Sequence, residues 1–346
     1  MKKKNLCLVP EAKSLGGPRT FQQNLLSWAE RSGMFEVHFD AERTDIDAFL
    51  VIGAPKQYFK RLIQARRQGI QVIQRLNGMN WIHRVRPSGL KYSIHSEEAN
   101  LAIAFYRRFV CNKIIYQSPF CEQRWNKVYG KLSKPSRIIF NGTDIRKFHP
   151  GTESPDFRSK IDFVLAEGSF RYGMDFGLDV AAELAVGLTE RFSRPVCFHV
   201  AGKTTEETEN RIQKQLKESG KPADVIFEGV IDCEKLIHLE QNAAFFFSSE
   251  IHAACPNAVI EALGCGLPVI GFATGALKDV TGQAGIIVPY GSDPWRLEKP
   301  ICGPLIDAAE KVIRENQTYR TAARSRAEAC FSVDDMAQAY LDFCLE

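Results

Sequence analysis

Short apolar runs recur along the chain, each of strand length. In the first part they occupy residues 6–9, 35–39, 48–52, 71–76, 113–116 and 137–140. Between them lie segments whose apolar residues follow helical spacing, such as 19–31 and 57–67. Strand alternating with helix predicts a parallel α/β domain. A second set of runs follows at 163–166, 195–201, 225–227, 243–247, 269–272 and 285–289, and helical patterns fill 304–346. Between the two sets, from Asn141 to about Lys160, the chain turns to Gly, Pro, Ser and Thr, with Asn141-Gly142 as a turn signal and Pro150-Gly151 and Ser154-Pro155 as breakers. The pattern therefore predicts an α/β protein of two domains, 1–150 and 151–330, with a closing helical segment at 331–346.

One stretch carries more chemistry than the rest. Residues 255–268 read Cys-Pro-Asn-Ala-Val-Ile-Glu-Ala-Leu-Gly-Cys-Gly-Leu-Pro and lie between two buried-strand runs. Strand, loop, helix and strand make a βαβ unit whose helix N-terminus faces the carboxyl ends of the strands, where open α/β sheets bind ligands. With Pro256 at the first helical position, the amides of Asn257, Ala258 and Val259 lack intrahelical acceptors and can hold an anion. Glu261 follows one turn later on the same face, placed to accept two sugar hydroxyls. Amides and carboxylate together fit a nucleotide's diphosphate and ribose.

At this point the chain resembles the family 4 glycosyltransferases. Pro256, Asn257, Glu261, Ala262, Cys265, Gly266, Pro268, Val269, Thr274 and Gly275 occur in the order of that family's donor segment. Gly16-Gly17-Pro18, Asn141-Gly142-Thr143-Asp144 with Phe148-His149-Pro150, and Phe227-Glu228-Gly229-Val230 stand where the family carries its own versions. The resemblance implies a GT-B fold: two Rossmann-like domains facing across a cleft, the N-terminal one on the acceptor side, with the last helix crossing back onto it. It implies retaining transfer from a nucleoside diphosphate sugar, a co-substrate, to a glycan or lipid-linked hydroxyl, without metal, cofactor or protein nucleophile. Gly16 and Gly17 would approach a phosphate or the acceptor, and Gly229 and Val230 the nucleotide base. Asn77, His83 and Ser118 fall on acceptor-side loops, although His83 also reads as a satisfied loop histidine and Ser118 as a structural helix cap.

Departures from the family pattern are as informative as the matches. A further donor-site carboxylate usually lies eight residues before the one matching Glu261, and here that position is Ala253. The usual Arg and Lys after the first strand of the second domain reduce to a displaced Arg171, with Tyr172 in place of the Lys. The glycine loop reads Gly275-Ala276 and ends in Asp279. Arg171, Glu250 and His252 are the candidate catalytic stand-ins. Two functional readings stand side by side: an active transferase using them, or a degenerate homologue that binds a nucleotide sugar or glycan without turnover.

Charge adds an asymmetry that the near-neutral total conceals. Residues 1–150 hold 26 Lys/Arg against 11 Asp/Glu, and the remainder hold 19 against 30. The basic half reads either as solvated helix faces or as a surface for an anionic membrane; no nucleic-acid motif accompanies it. The ten cysteines are scattered without any Cys-x-x-Cys and read as reduced thiols of a cytosolic protein. The basic start is followed by an apolar run too short for a signal peptide. These features predict a cytoplasmic protein, peripheral at the inner membrane face.

Overall fold

The computed structural model describes residues 3–13, 17–86, 89–170 and 175–345, and the chain divides into two compact units. The first comprises residues 1–142 with 331–346, the second residues 143–330.

In the first unit β1 (Lys4–Val9), α1 (Gly17–Ser32), β2 (Phe35–His38), β3 (Ala48–Ile52), α2 (Phe59–Arg67) and β4 (Gln71–Leu76) precede α3 (Leu90–Phe105). A π-helical turn, Tyr106–Val110, then leads to β5 (Lys113–Tyr116), α4 (Pro119–Tyr129) and β6 (Ser136–Ile138). All strand pairs are parallel, in the order β2-β1-β3-β4-β5-β6. Period-two alternation sends Leu6 and Leu8 of β1 to one face, against Phe21, Leu25 and Trp28 of α1, and Cys7 and Val9 to the other, against Leu62 and Ala65 of α2. Val333, Met336, Tyr340 and Leu341 of the terminal helix (Val333–Leu345) complete the α1 side of this core.

The second unit repeats the plan with β7 (Ile161–Ser169), α5 (Phe176–Phe192), β8 (Val196–Lys203), α6 (Glu206–Glu218), β9 (Ala223–Gly229), α7 (Cys233–Asn242) and β10 (Phe246–Ser248). It continues through α8 (Asn257–Gly264), β11 (Val269–Phe272), α9 (Leu277–Thr281), β12 (Gly285–Val288), α10 (Gly303–Arg314) and α11 (Asn316–Cys330), so the terminal helix is α12. Its parallel sheet runs β12-β11-β10-β7-β8-β9. Phe163 stacks between Phe198, at 5.4 Å, and Phe245, at 4.8 Å, all fully buried. Each such ring contributes about 1.5–3 kcal/mol by leaving water.

The division falls at Gly142, short of the boundary expected after residue 150. Thr143 and Phe148 belong to the second unit because they pack on α8, where a Cβ added to Gly264 would lie 2.9 Å from the Cβ of Phe148. All ten cysteines are free thiols, most of them buried. Among the described residues no helix is long and apolar enough to cross a membrane.

Candidate functional site

β7 and β10 are neighbours at the centre of the second sheet although they are distant in sequence, and the strand order reverses between them. Such a reversal opens a crevice beyond the carboxyl ends of the strands, the usual ligand site of an open parallel sheet. The chain segments leaving β7, β9, β10 and β11 all end at this edge.

The segment after β10 leads into α8. Pro256 is the N-cap, with φ −72° and ψ 113°, and not the first helical residue that the sequence suggested. Its extended ψ keeps it outside the helix while its carbonyl accepts the Ile260 amide at 3.3 Å, as an N-cap carbonyl does. The consequence for the site is unchanged, since Ala258 and Val259 still open the helix with amides that have no intrahelical acceptor. One turn along, Glu261 is half-exposed at its surface, yet burial of its carboxyl pushes it up to about 7, with Lys147 pulling it down. Beneath it, Glu240 of α7 is fully buried and held well above the usual carboxylate range by burial and then by the charge of Glu261.

At the end of β9, Gly229 has φ +66°, a left-handed turn that favours glycine, and Val230 beside it is 67% exposed. An exposed valine on a glycine turn offers apolar surface at the carboxyl end of the strand, of the kind a base could cover.

At the switch point itself stand two acids. Glu167, near the end of β7, accepts a hydrogen bond from Ser249 Oγ, and burial followed by the charge of Glu250 pushes it up to about 8. Glu250 is likewise raised by burial. Neighbouring buried carboxyls favour holding one proton between them. Sequence reasoning named Glu250 and missed Glu167, although an acid directly after the first strand of the second domain was the available signal.

The rest of the β10 loop is tightly held. His252 adopts φ +58° and stacks its ring on Trp295 at 3.5 Å and 16°. The Ala253 carbonyl accepts the Ala276 amide at 2.9 Å, and a Cβ on Gly275 would lie 2.5 Å from that same carbonyl oxygen. Gly275, at φ +57°, is therefore required on both steric and conformational grounds. The position lacking the family carboxylate is thus pinned against the glycine loop.

Arg171 and Gly16 lie outside the described residues, and Gly17 opens α1. The acceptor-side candidates all fall in the first unit. Asn77 Oδ1 accepts from Arg75 at 2.7 Å, and its carbonyl accepts from Trp125 Nε1 at 2.9 Å. His83 is buried with Nε2 2.8 Å from Glu97, which also pairs with Arg84. Ser118 caps α4, accepting the Cys121 amide at 3.1 Å. These contacts give each of the three a structural task. Of groups that could ligate a metal, Asp162, Cys197 and His199 converge within 4.8 Å. Asp162 is ion-paired to Lys160 at 2.8 Å, and His199 Nδ1 lies 2.8 Å from Glu228, so these side chains already form a charge ladder across β7, β8 and β9.

Residues 163–303 match the family model described as glycosyl transferases group 1, a span that takes in every segment of the crevice. The chain carries a group 1 glycosyltransferase domain. No curated protein sequence matches the chain. Among solved structures, sucrose-phosphate synthase from Thermosynechococcus elongatus superposes with a TM-score of 0.70 at 15% identity, over 99% of this chain and 98% of that one. HepE of Anabaena, in complex with UDP and glucose, gives 0.66 at 13% identity over 99% of both chains. WaaG, a glycosyltransferase involved in lipopolysaccharide biosynthesis, gives 0.66 at 14% over 98% of this chain and 99% of its own. At such identities the likeness is one of fold: the glycosyltransferase domain belongs to a GT-B architecture of two Rossmann-like domains.

Proposed function

We propose that this protein transfers a sugar from a nucleoside diphosphate sugar, with retention of anomeric configuration, to a hydroxyl of a glycan or lipid-linked acceptor at the cytosolic membrane face. The observation that carries the reading is the α8 tip with Glu261 one turn below it at the strand-order reversal, on a parallel sheet whose β9 ends in the Gly229-Val230 turn at the same edge. The diphosphate would lie against the helix-tip amides, its ribose hydroxyls on Glu261 and its base over Val230. The acceptor oxygen bonds to the anomeric carbon as the bond from that carbon to the diphosphate breaks, and the acceptor proton passes to the departing phosphate. Fixed amides that stabilise this charge as it develops are worth a few kcal/mol each. Because HepE is seen with UDP and glucose, UDP-hexoses are the first donors to test.

The methyl group at Ala253 favours a second reading, a degenerate homologue that holds a nucleotide sugar without turnover. Release of nucleoside diphosphate from a panel of donor sugars separates the two. The transferase reading expects slow hydrolysis that is absent in Glu261→Ala; donor binding with no hydrolysis, with or without acceptors, would establish the degenerate one. Ala253→Glu is expected to raise sugar-specific affinity by about tenfold, one charge-assisted hydrogen bond. A fall in activity, together with damage from Glu250→Gln or His252→Ala, would mean that the donor site is built around those two residues instead.

A further inference from the structure

Helix α3 is inside out. Its buried residues are the polar Ser96 and Asn100, whereas Leu90, Ile94, Leu101 and Phe105 are between 46% and 78% exposed. Asn100 holds the inner face by accepting the Asn80 amide at 3.0 Å and donating to the Asn80 carbonyl at 2.8 Å. The outer face continues into the π-helical turn, where Phe109 is 54% exposed with its ring 5.1 Å from that of Phe105. Steps of four and seven residues keep these side chains on one stripe, a ridge roughly 28 Å long at 1.5 Å per residue. Phe59 of α2 adds its ring beside Phe105, at 6.2 Å. A contiguous apolar stripe of this extent, facing water over a polar underside, marks a surface that another phase or partner covers.

Charge beside the ridge says which. Lys60, Arg66 and Arg67 of α2 are exposed, as are Lys91 and Arg108, with Glu98 the exposed acid on α3 itself. Arg108 lies 5.8 Å over the Phe109 ring and Arg66 donates to the Phe109 carbonyl, so the cations adjoin the apolar stripe. The first unit as a whole holds 24 Lys/Arg against 14 Asp/Glu. An apolar stripe flanked by Lys and Arg suits the boundary between acyl chains and anionic headgroups.

We propose that the α3 ridge seats the protein on a bilayer containing anionic lipid, with its leucine and phenylalanine side chains entering the interface and the neighbouring cations pairing with headgroup phosphates. It deepens the lipid-linked acceptor part of the proposed function and is independent of the donor site. Because the apolar contribution is not screened by salt, part of the binding should survive at high ionic strength, unlike a purely electrostatic attraction.

The test is co-sedimentation of the full chain with phosphatidylcholine vesicles, with and without phosphatidylglycerol, at low and high salt. The parent should pellet with the mixed vesicles and retain part of that binding at high salt. Leu101→Glu with Phe105→Glu, both at exposed positions, should weaken vesicle affinity at least tenfold at either salt. Lys60→Glu with Arg67→Glu should weaken it chiefly at low salt. UDP affinity should be unchanged in both double variants, so a failure here is distinguishable from a failure of the donor reading. Parent protein that ignores both vesicles, or a Leu101→Glu/Phe105→Glu variant that pellets like the parent, overturns the proposal. Sedimentation velocity showing that this variant only dissociates a dimer, with no effect on lipid binding, would assign the ridge to a second copy of the chain and overturn it equally.

Discussion

The two units bury opposite charges in different ways. In the first, the guanidinium of Arg75 is 1% exposed and is held by the Tyr340 hydroxyl at 3.1 Å, Asn77 Oδ1 at 2.7 Å and Asn141 Oδ1 at 2.8 Å. Arg107, equally buried, is held by the Tyr116 hydroxyl, the Gly130 carbonyl and Asn126. In the second, carboxyls gather at and behind the crevice, Glu167, Glu250 and Glu261 with Glu240 buried beneath Glu261, all raised by burial. A guanidinium cannot shed its proton, so it persists in a core only where fixed dipoles replace water on every side. A carboxyl has another course. It can take up a proton while the site is empty and lose it to solvent when a ligand that donates hydrogen bonds binds. The first arrangement is architectural, tying β4 to α12; the second is poised for chemistry.

Removing a buried guanidinium should give the larger effect. Arg75→Leu strands Asn77, Asn141 and Tyr340 without their donor in a dry core, at an expected cost of about 3–5 kcal/mol. Urea denaturation followed on the first unit's tryptophans would measure it, and a loss under 1 kcal/mol would make the network incidental.

Removing a protonated acid should do less, and with a definite pH dependence. The folded-state pKa of Glu240 lies above its unfolded value, so the folded chain keeps a proton that the unfolded chain gives up, and this group's contribution falls as pH rises past about 4.3. Glu240→Gln carries no such proton. Its stability should match the parent near pH 4 and exceed it at pH 8 by at least about 1 kcal/mol, the gap widening by up to about 1.4 kcal/mol per pH unit while the folded chain keeps the proton. A variant less stable than the parent at pH 8 would mean that Glu240 is ionised and paired in the folded protein.

Much of the fold was legible from the chain. The runs at Ala48–Ile52, Gln71–Leu76, Lys113–Tyr116 and Val269–Phe272 are strands at the bounds expected; the first and last are continuous apolar runs, as in strands buried on both faces, whereas β4 carries the buried Gln74 and Arg75 within it. The run 243–247 narrows to β10 (Phe246–Ser248), since Ala244 and Phe245 make single bonds to β7 before regular pairing begins. The outward apolar face of helix α3 was not legible: apolar residues at helical spacing point toward a core, and here they face water. Within the site, Pro256 to Glu261 was readable as a local pattern. Glu167 and Glu240 were not, since each gains its meaning only when the sheet order and the helix packing bring it beside another acid.

The most direct test of the account is calorimetric titration with UDP-glucose, whose diphosphate carries no group titrating near neutrality, from pH 6 to pH 8. If Glu261 must be ionised to accept the ribose hydroxyls, affinity should rise with pH and level off above about 7, approaching tenfold per unit on the acid side. Glu261→Ala should bind about ten- to a hundredfold more weakly at pH 8, a loss of roughly 1.5–3 kcal/mol, and with a flat profile. A folded Glu261→Ala variant that binds UDP-glucose as tightly as the parent, with the same pH dependence, would contradict the assignment of this crevice as the donor site.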